Sequence, residues 1–260
     1  MHRFLRKSAS LVLAPIAAAA CMSIGMPCAH ATTKGLNQIV TPDIQPTGAL
    51  SLSAQCQDPN VGNRLELQSE LGITSNFEIA VFEGDSPAEQ IGNAELGLLN
   101  RGRYLLSTGF LNWSTKGTAP QPFLEGGYYK GNSEYVAGAE NVIAQENGAN
   151  GAIRNVRSTQ SVLGFAYRPI PTLQVQADYQ SGATNFATAG FTYSVTPNLT
   201  FNPAIYIGNS TPTKGFGYAV LTWTIQAFKP NSSPTPAAAP AKSATQVETP
   251  VSSAPQPAKT

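Results

Sequence analysis

From about Leu50 to Phe228 the chain is written in stretches of roughly ten residues in which apolar and polar side chains alternate, with Gly, Pro, Asn, Asp and Ser between them. Period two puts successive side chains on opposite faces, so each stretch is a strand with one apolar and one polar face. Leu173, Val175, Ala177 and Tyr179 share one face while Gln174, Gln176, Asp178 and Gln180 take the other. Leu65, Leu67, Leu71 and Ile73 oppose Glu66, Gln68, Glu70 and Gly72 in the same way. Phe77, Ile79 and Val81 then oppose Glu78 and Ala80, and Ala187 to Val195 repeats the pattern against Thr188, Gly190, Thr192 and Ser194. No segment of this region carries a convincing helical period.

The pattern predicts about twelve strands, at 48–57, 63–73, 77–84, 91–99, 103–113, 121–130, 134–145, 158–168, 172–181, 185–196, 199–208 and 215–228, an even number that closes a bacterial barrel. Short connections at Thr74–Asn76, Asn100–Gly102, Gly131–Ser133, Pro169–Pro171 and Pro197–Asn198 alternate with mostly longer ones, among them Asp85–Gln90, Ser114–Pro120, Glu146–Arg157 and Asn209–Lys214. That asymmetry predicts tight periplasmic turns, outer loops, and both chain ends on the periplasmic side. The expected fold is therefore all-β: an antiparallel transmembrane β-barrel whose apolar faces meet lipid. A soluble barrel or sandwich, its apolar faces turned inward, is the alternative. Phe77, Trp113, Phe123, Tyr179, Phe186, Phe216, Trp223 and Phe228 fall at or near predicted strand ends, where a membrane barrel gathers aromatic residues.

Glu66, Glu70, Glu78, Glu95, Glu125, Glu140 and Asp178 fall on the faces assigned to the interior and are the candidate lumen-lining residues. An acidic lumen favours cations. Equally, Arg64, Arg103, Arg154, Arg157 and Arg168 could neutralise these carboxylates, and a barrel of about twelve strands is narrow enough for side chains or an inserted loop to close it. The connection Glu146–Arg157 reads as a mobile surface loop, a constriction or an external binding loop, and Cys56 reads as a small buried residue.

At the amino end Arg3, Arg6 and Lys7 precede an uncharged apolar stretch and then Ala29-His30-Ala31, a secretory signal with cleavage expected after Ala31. A retained anchor, or lipidation at Cys21, are the alternatives. Cleavage removes both histidines, His2 and His30, and leaves Cys56 as the remaining cysteine. Ser-His-Asp triads, Cys/His zinc clusters and intramolecular disulfides are then out of reach, and no cofactor motif is present. Glu66 and Glu70, about 13 Å apart along a strand, are too distant for a glycosidase pair, so no enzyme activity is expected. Of the 16 Lys and Arg, 13 remain against 15 Asp and Glu, a formal charge of about −2 with no basic patch for nucleic acid. Residues 32–47 read as a linker. Residues 229–260, rich in Pro, Ala, Ser and Thr, read as a disordered tail reaching on the order of 100 Å.

These features together resemble bacterial outer-membrane β-barrel proteins of the small porin or transporter type over residues 48–228: the signal, the dyad strands such as Leu173–Tyr179, the turn Ile73-Thr74-Ser75-Asn76-Phe77, and a last strand, Tyr218–Phe228, ending in an aromatic. The resemblance implies an outer-membrane location, contact with outer-membrane lipid and the barrel assembly machinery, and passage of small solutes or cations. In that family the final aromatic is often the chain terminus, whereas here a tail follows Phe228 and could reach the cell wall. A non-transporting barrel that anchors the envelope, and a soluble periplasmic binding protein, are the competing readings.

Overall fold

The computed structural model describes residues 35–85, 88–115, 120–147 and 153–229. Twelve strands form the molecule: β1 (Ala49–Gln57), β2 (Leu65–Thr74), β3 (Phe77–Asp85), β4 (Ala88–Arg101), β5 (Tyr104–Ser114), β6 (Gln121–Lys130), β7 (Ser133–Asn147), β8 (Ile153–Ile170), β9 (Leu173–Gln180), β10 (Phe186–Thr196), β11 (Leu199–Gly208) and β12 (Thr211–Gln226). Each pairs antiparallel with its neighbours in sequence, and β1 pairs with β12 from Ala49↔Gln226 to Gln57↔Tyr218, closing the barrel. Closure satisfies every sheet edge internally, which a β-structure in hydrocarbon must do.

The wall is partitioned with polarity inward. Along β11, Phe201, Ile205 and Ile207 are exposed on the outside while Thr200, Asn202 and Tyr206 are buried inside. Leu67, Val81, Leu98, Leu124 and Leu163 continue the exposed apolar surface around the barrel, and Gln55, Glu78, Gln121, Gln160, Gln176 and Thr222 are buried on its inner face. This is the partition of a barrel in lipid; a soluble sandwich would bury the leucines. On the outer face a row of rings, Tyr104, Tyr128, Tyr135 and Phe165, crosses four adjacent strands near the short turns, with centroids 5.2, 6.3 and 5.3 Å apart. It forms part of the interfacial girdle there, and Trp113 stands exposed near the opposite end of β5.

Short connections do lie at one end. Gly102 and Gly131, in the turns after β4 and β6, adopt φ of 61° and 59°, the left-handed region that tight hairpin turns require. The chain enters β1 at this same end, where the Gly48 N–H donates to the Gly72 carbonyl at 2.7 Å.

Several sequence expectations need correction. Asp85–Gln90, Glu146–Arg157 and Asn209–Lys214 are largely strand: β4 starts at Ala88, β8 at Ile153 and β12 at Thr211. The β7–β8 pair runs without a register shift to Asn147↔Ile153, although β6 stops pairing with β7 at Glu140 and β9 stops pairing with β8 at Val162. Gly148 to Ala152 lie outside the described residues; an antiparallel ribbon can continue past the bilayer, where its outer face no longer has to be apolar, and the alternation that identified the other strands fades there. Phe123 points inward and is buried, and Cys56 is exposed on the outer face.

The outer face yields a stability prediction. Ile205, 57 % exposed near the middle of β11, faces the hydrocarbon, so Ile205→Arg should cost about 2–4 kcal/mol in equilibrium unfolding from lipid vesicles. An unchanged unfolding midpoint would mean this face is not in lipid.

Candidate functional site

All seven predicted carboxylates lie on inner faces, but the structure divides them. Glu66, Glu70, Glu78, Glu95 and Glu140 line a cavity of about 510 Å³ inside the barrel. Glu125 is fully buried in the wall of β6; a side chain at the neighbouring Gly138 would come within 2.5 Å of its Cγ. Asp178 is buried on β9, outside the lining of that cavity. Sequence reasoning omitted Glu134, which is buried on β7 and accepts the Tyr129 hydroxyl at 3.0 Å. It also passed over the amides that hold the carboxylates. Gln68 Nε2 donates to Glu66 Oε1 at 2.9 Å and to Gln55 Oε1 at 2.7 Å, and Gln180 Nε2 donates to Glu140 Oε2 at 2.9 Å. Of the arginines expected to compensate the acids, Arg64, Arg103 and Arg157 are exposed and Arg168 Nε donates to Gln174 Oε1 at 2.9 Å, while the side chain of Arg154 lies outside those described.

Val61 and Asn63, from the β1–β2 connection, and Thr184 and Asn185, from the β9–β10 connection, also border the cavity, placing its mouth toward the longer loops. In that region Asp58 accepts the Asn60 backbone N–H at 2.9 Å and its Nδ2 at 2.7 Å. These two bonds, with Arg64 adding attraction, hold the Asp58 carboxyl below the usual carboxylate range, so it keeps its charge into mild acid. The opposite boundary is made by Leu36 to Val40, which belong to the stretch read as a linker.

Residues 35–47 of that stretch are inside the barrel. Leu36 and Ile39 bury against Val136, Val162 and Ala166, an apolar patch on the inner wall of β7 and β8. Such a patch would face water in an empty lumen; covering it stabilises the bound segment by about 1.5–3 kcal/mol for each large side chain buried. The segment also sits where the wall has no side chains. A Cβ at Gly97 of β4 would come within 2.9 Å of Ile44 Cγ1, and one at Gly127 of β6 within 2.8 Å of Pro42 Cγ. At Gly72 of β2 it would strike the carbonyls of Gln45 and Pro46, at Gly164 of β8 the side chains of Leu36 and Ile39, and at Gly190 of β10 it would meet Asn37 Oδ1 at 2.8 Å. Inward glycines on alternate strands, β2 through β10, thus form the seat of residues 36–46.

Polar contacts fix the two ends of the segment. The Gln45 N–H donates to Glu78 Oε2 at 2.5 Å, and Gln45 Nε2 donates to Ser51 Oγ at 2.6 Å. The tip folds on itself, with the Leu36 N–H donating to the Ile39 carbonyl at 3.0 Å and the Gly35 N–H to Thr41 Oγ1 at 3.2 Å. The next two amides of the tip converge on Asp178, whose Oδ2 accepts the N–H of Asn37 at 2.7 Å and of Gln38 at 3.2 Å. Charge-assisted bonds of this kind contribute about 1.5–3 kcal/mol each, so Asp178 is better described as an anchor for the segment than as a lining charge.

No protein-family model matches the chain, and no curated protein matches it in sequence. Among solved structures it is similar to the NanC porin, with 7% identity and a TM-score of 0.47 over 67% of this chain and 98% of that one. It is similar at the same coverage to the KdgM porin, with 8% identity and a TM-score of 0.48. A loop-deletion mutant of OmpT, an outer membrane protein of Vibrio cholerae, is similar at 12% identity and a TM-score of 0.37, covering 63% of each chain. The molecule's own partition places it among outer-membrane β-barrels: a closed antiparallel sheet, apolar outside and polar inside, with tight turns at one end.

The glycine seat leads to an accessibility prediction. In a Cys56→Ser background, Val162→Cys should resist a membrane-impermeant thiol reagent, because Val162 is fully buried beneath Leu36 and Ile39. Adding Gly164→Leu should speed labelling at least about tenfold by displacing those two side chains; equal rates would mean the segment does not depend on this seat.

Proposed function

We propose that the chain provides a porin-like passage for small polar solutes or cations across the outer membrane, held closed by residues 35–47. The observation that carries this reading is the cavity itself, lined with carboxylates and amides, bordered by the longer connections at its mouth and by Leu36–Val40 at its base. Such a lining attracts cations and hydrogen-bonds polar solutes while the segment obstructs the way through. No step needs a cofactor or a catalytic group. Secretion with removal of residues 1–31 and insertion by the barrel assembly machinery belong to the same reading. A tether to the cell wall through residues 229–260 would be an added role, and those residues beyond Lys229 lie outside the described ones.

A second reading has one observation in its favour: the occupied lumen is also what a non-transporting, envelope-anchoring barrel would have. Planar-bilayer recording separates the two. The processed chain should conduct rarely, while a chain lacking residues 36–45 should conduct stably, with a reversal potential in a salt gradient that shows cation preference. Replacing Glu66, Glu70, Glu95 and Glu140 together by Gln in that chain should reduce the preference. A shortened barrel that inserts without conducting would support the anchoring reading, and anion preference would overturn the role given to the carboxylates.

A further inference from the structure

The polar groups of Asn37 are bonded by wall residues as a bound ligand's would be. Its N–H donates to Asp178 Oδ2 at 2.7 Å, and its carbonyl accepts the Tyr206 hydroxyl. Its Nδ2 donates to Thr188 Oγ1 at 3.0 Å, and its Oδ1 accepts Gln176 Nε2 at 2.9 Å and Asn202 Nδ2 at 3.3 Å. These five wall residues stand on the adjacent strands β9, β10 and β11, and each is at least nine-tenths buried. Two of them are held by further bonds. Gln176 Oε1 accepts Gln174 Nε2 at 2.8 Å and the Thr192 hydroxyl at 3.2 Å, leaving Gln176 Nε2 aimed at Asn37, while Asn202 Nδ2 also donates to the Phe191 carbonyl at 2.8 Å. Gly190 leaves the space in which the carboxamide lies. The seat even holds more capacity than Asn37 uses, since Asn202 Oδ1 is buried with no hydrogen-bond partner among the described residues. Donors and acceptors fixed in place beforehand are what small-molecule sites use for recognition.

From this we infer that the seat of Asn37 is a solute subsite for small compounds that carry a carboxamide beside an N–H or ammonium donor, and that Asn37 is its resident occupant. The inference rests on the passage reading and names a solute class for it. Asn37 borders the cavity, so a solute entering from the longer loops reaches the tip before it meets the rest of the segment. An ammonium in place of the Asn37 N–H would donate to the Asp178 carboxylate with full charge assistance. A carboxylate in place of the carboxamide has no N–H to donate to Thr188 Oγ1 and brings negative charge toward Asp178, which disfavours it.

The test is calorimetric titration of the full processed chain in detergent, with L-asparaginamide as probe and L-isoasparagine, which carries a carboxylate where the probe carries its side-chain carboxamide, as control. Leu36→Asp/Ile39→Asp expels the tip from its apolar patch and leaves every residue of the seat unchanged. This variant should bind L-asparaginamide at least about tenfold more tightly than the unmodified chain, and L-isoasparagine at least about tenfold more weakly than L-asparaginamide. Thr188→Val added to it should lose the gain. Asn37→Gly, which vacates the carboxamide position alone, should give the same ordering of probes at smaller amplitude and carries the test if the double variant does not fold. Equal affinity of the unmodified and tip-expelled chains, equal affinity for the two probes, or indifference to Thr188→Val would each overturn the inference. Binding is read without current, so a barrel that binds asparaginamide but never conducts would sink the passage reading alone.

Discussion

A sheet in hydrocarbon must pair every edge and turn its apolar side chains outward, and everything else in this molecule follows from meeting that requirement. Closing β1 onto β12 meets the first demand, and the alternation of exposed leucines with buried glutamines and threonines meets the second. The consequence is a polar interior too narrow to be left as a wide channel, whose groups must be bonded by one another, by water or by protein. Residues 35–47 supply part of that bonding. Their tip covers an apolar cluster of the inner wall and places two backbone N–H groups on the buried Asp178.

Wall and segment are matched in detail. Leu36 and Ile39 meet Val136 and Val162, the rigid Pro42 meets Gly127, and the carboxamide of Asn37 meets a ring of donors and acceptors. An inner wall designed only for water would have no reason to carry valines beside a glycine on β7 and β8. Conversely, the segment makes few bonds to itself, so its conformation depends on the barrel that holds it.

Much of the barrel was legible in the sequence, because period two is imposed by the pleat and one face had to be apolar. The segments around Leu173–Tyr179 and Leu199–Gly208 could be placed to within a residue or two for that reason. Where the hairpins leave the bilayer the outer face no longer has to be apolar, and the ends of β4, β8 and β12 were accordingly drawn short. The inward direction of the seven carboxylates also followed from alternation, but their separation into cavity residues, the wall residue Glu125 and the anchor Asp178 depends on what fills the lumen. The stretch 32–47 has no period and a linker's composition, so the place of residues 35–47 inside the barrel was invisible from their own residues. The signal lay in the wall instead, in inward glycines at Gly72, Gly97, Gly127, Gly164 and Gly190 and in inward Val136 and Val162, where an open polar channel would carry polar side chains.

The central claim is that the chain's own residues 35–47 occupy the lumen, and amide hydrogen exchange at Asn37 and Gln38 tests it most directly, in the processed chain in lipid nanodiscs. Both N–H groups donate to the buried Asp178, so they should exchange slowly, with protection comparable to amides in the middle of β9 and β10. Exchange of both at the rate of an unstructured peptide would contradict the account and leave the lumen without its occupant.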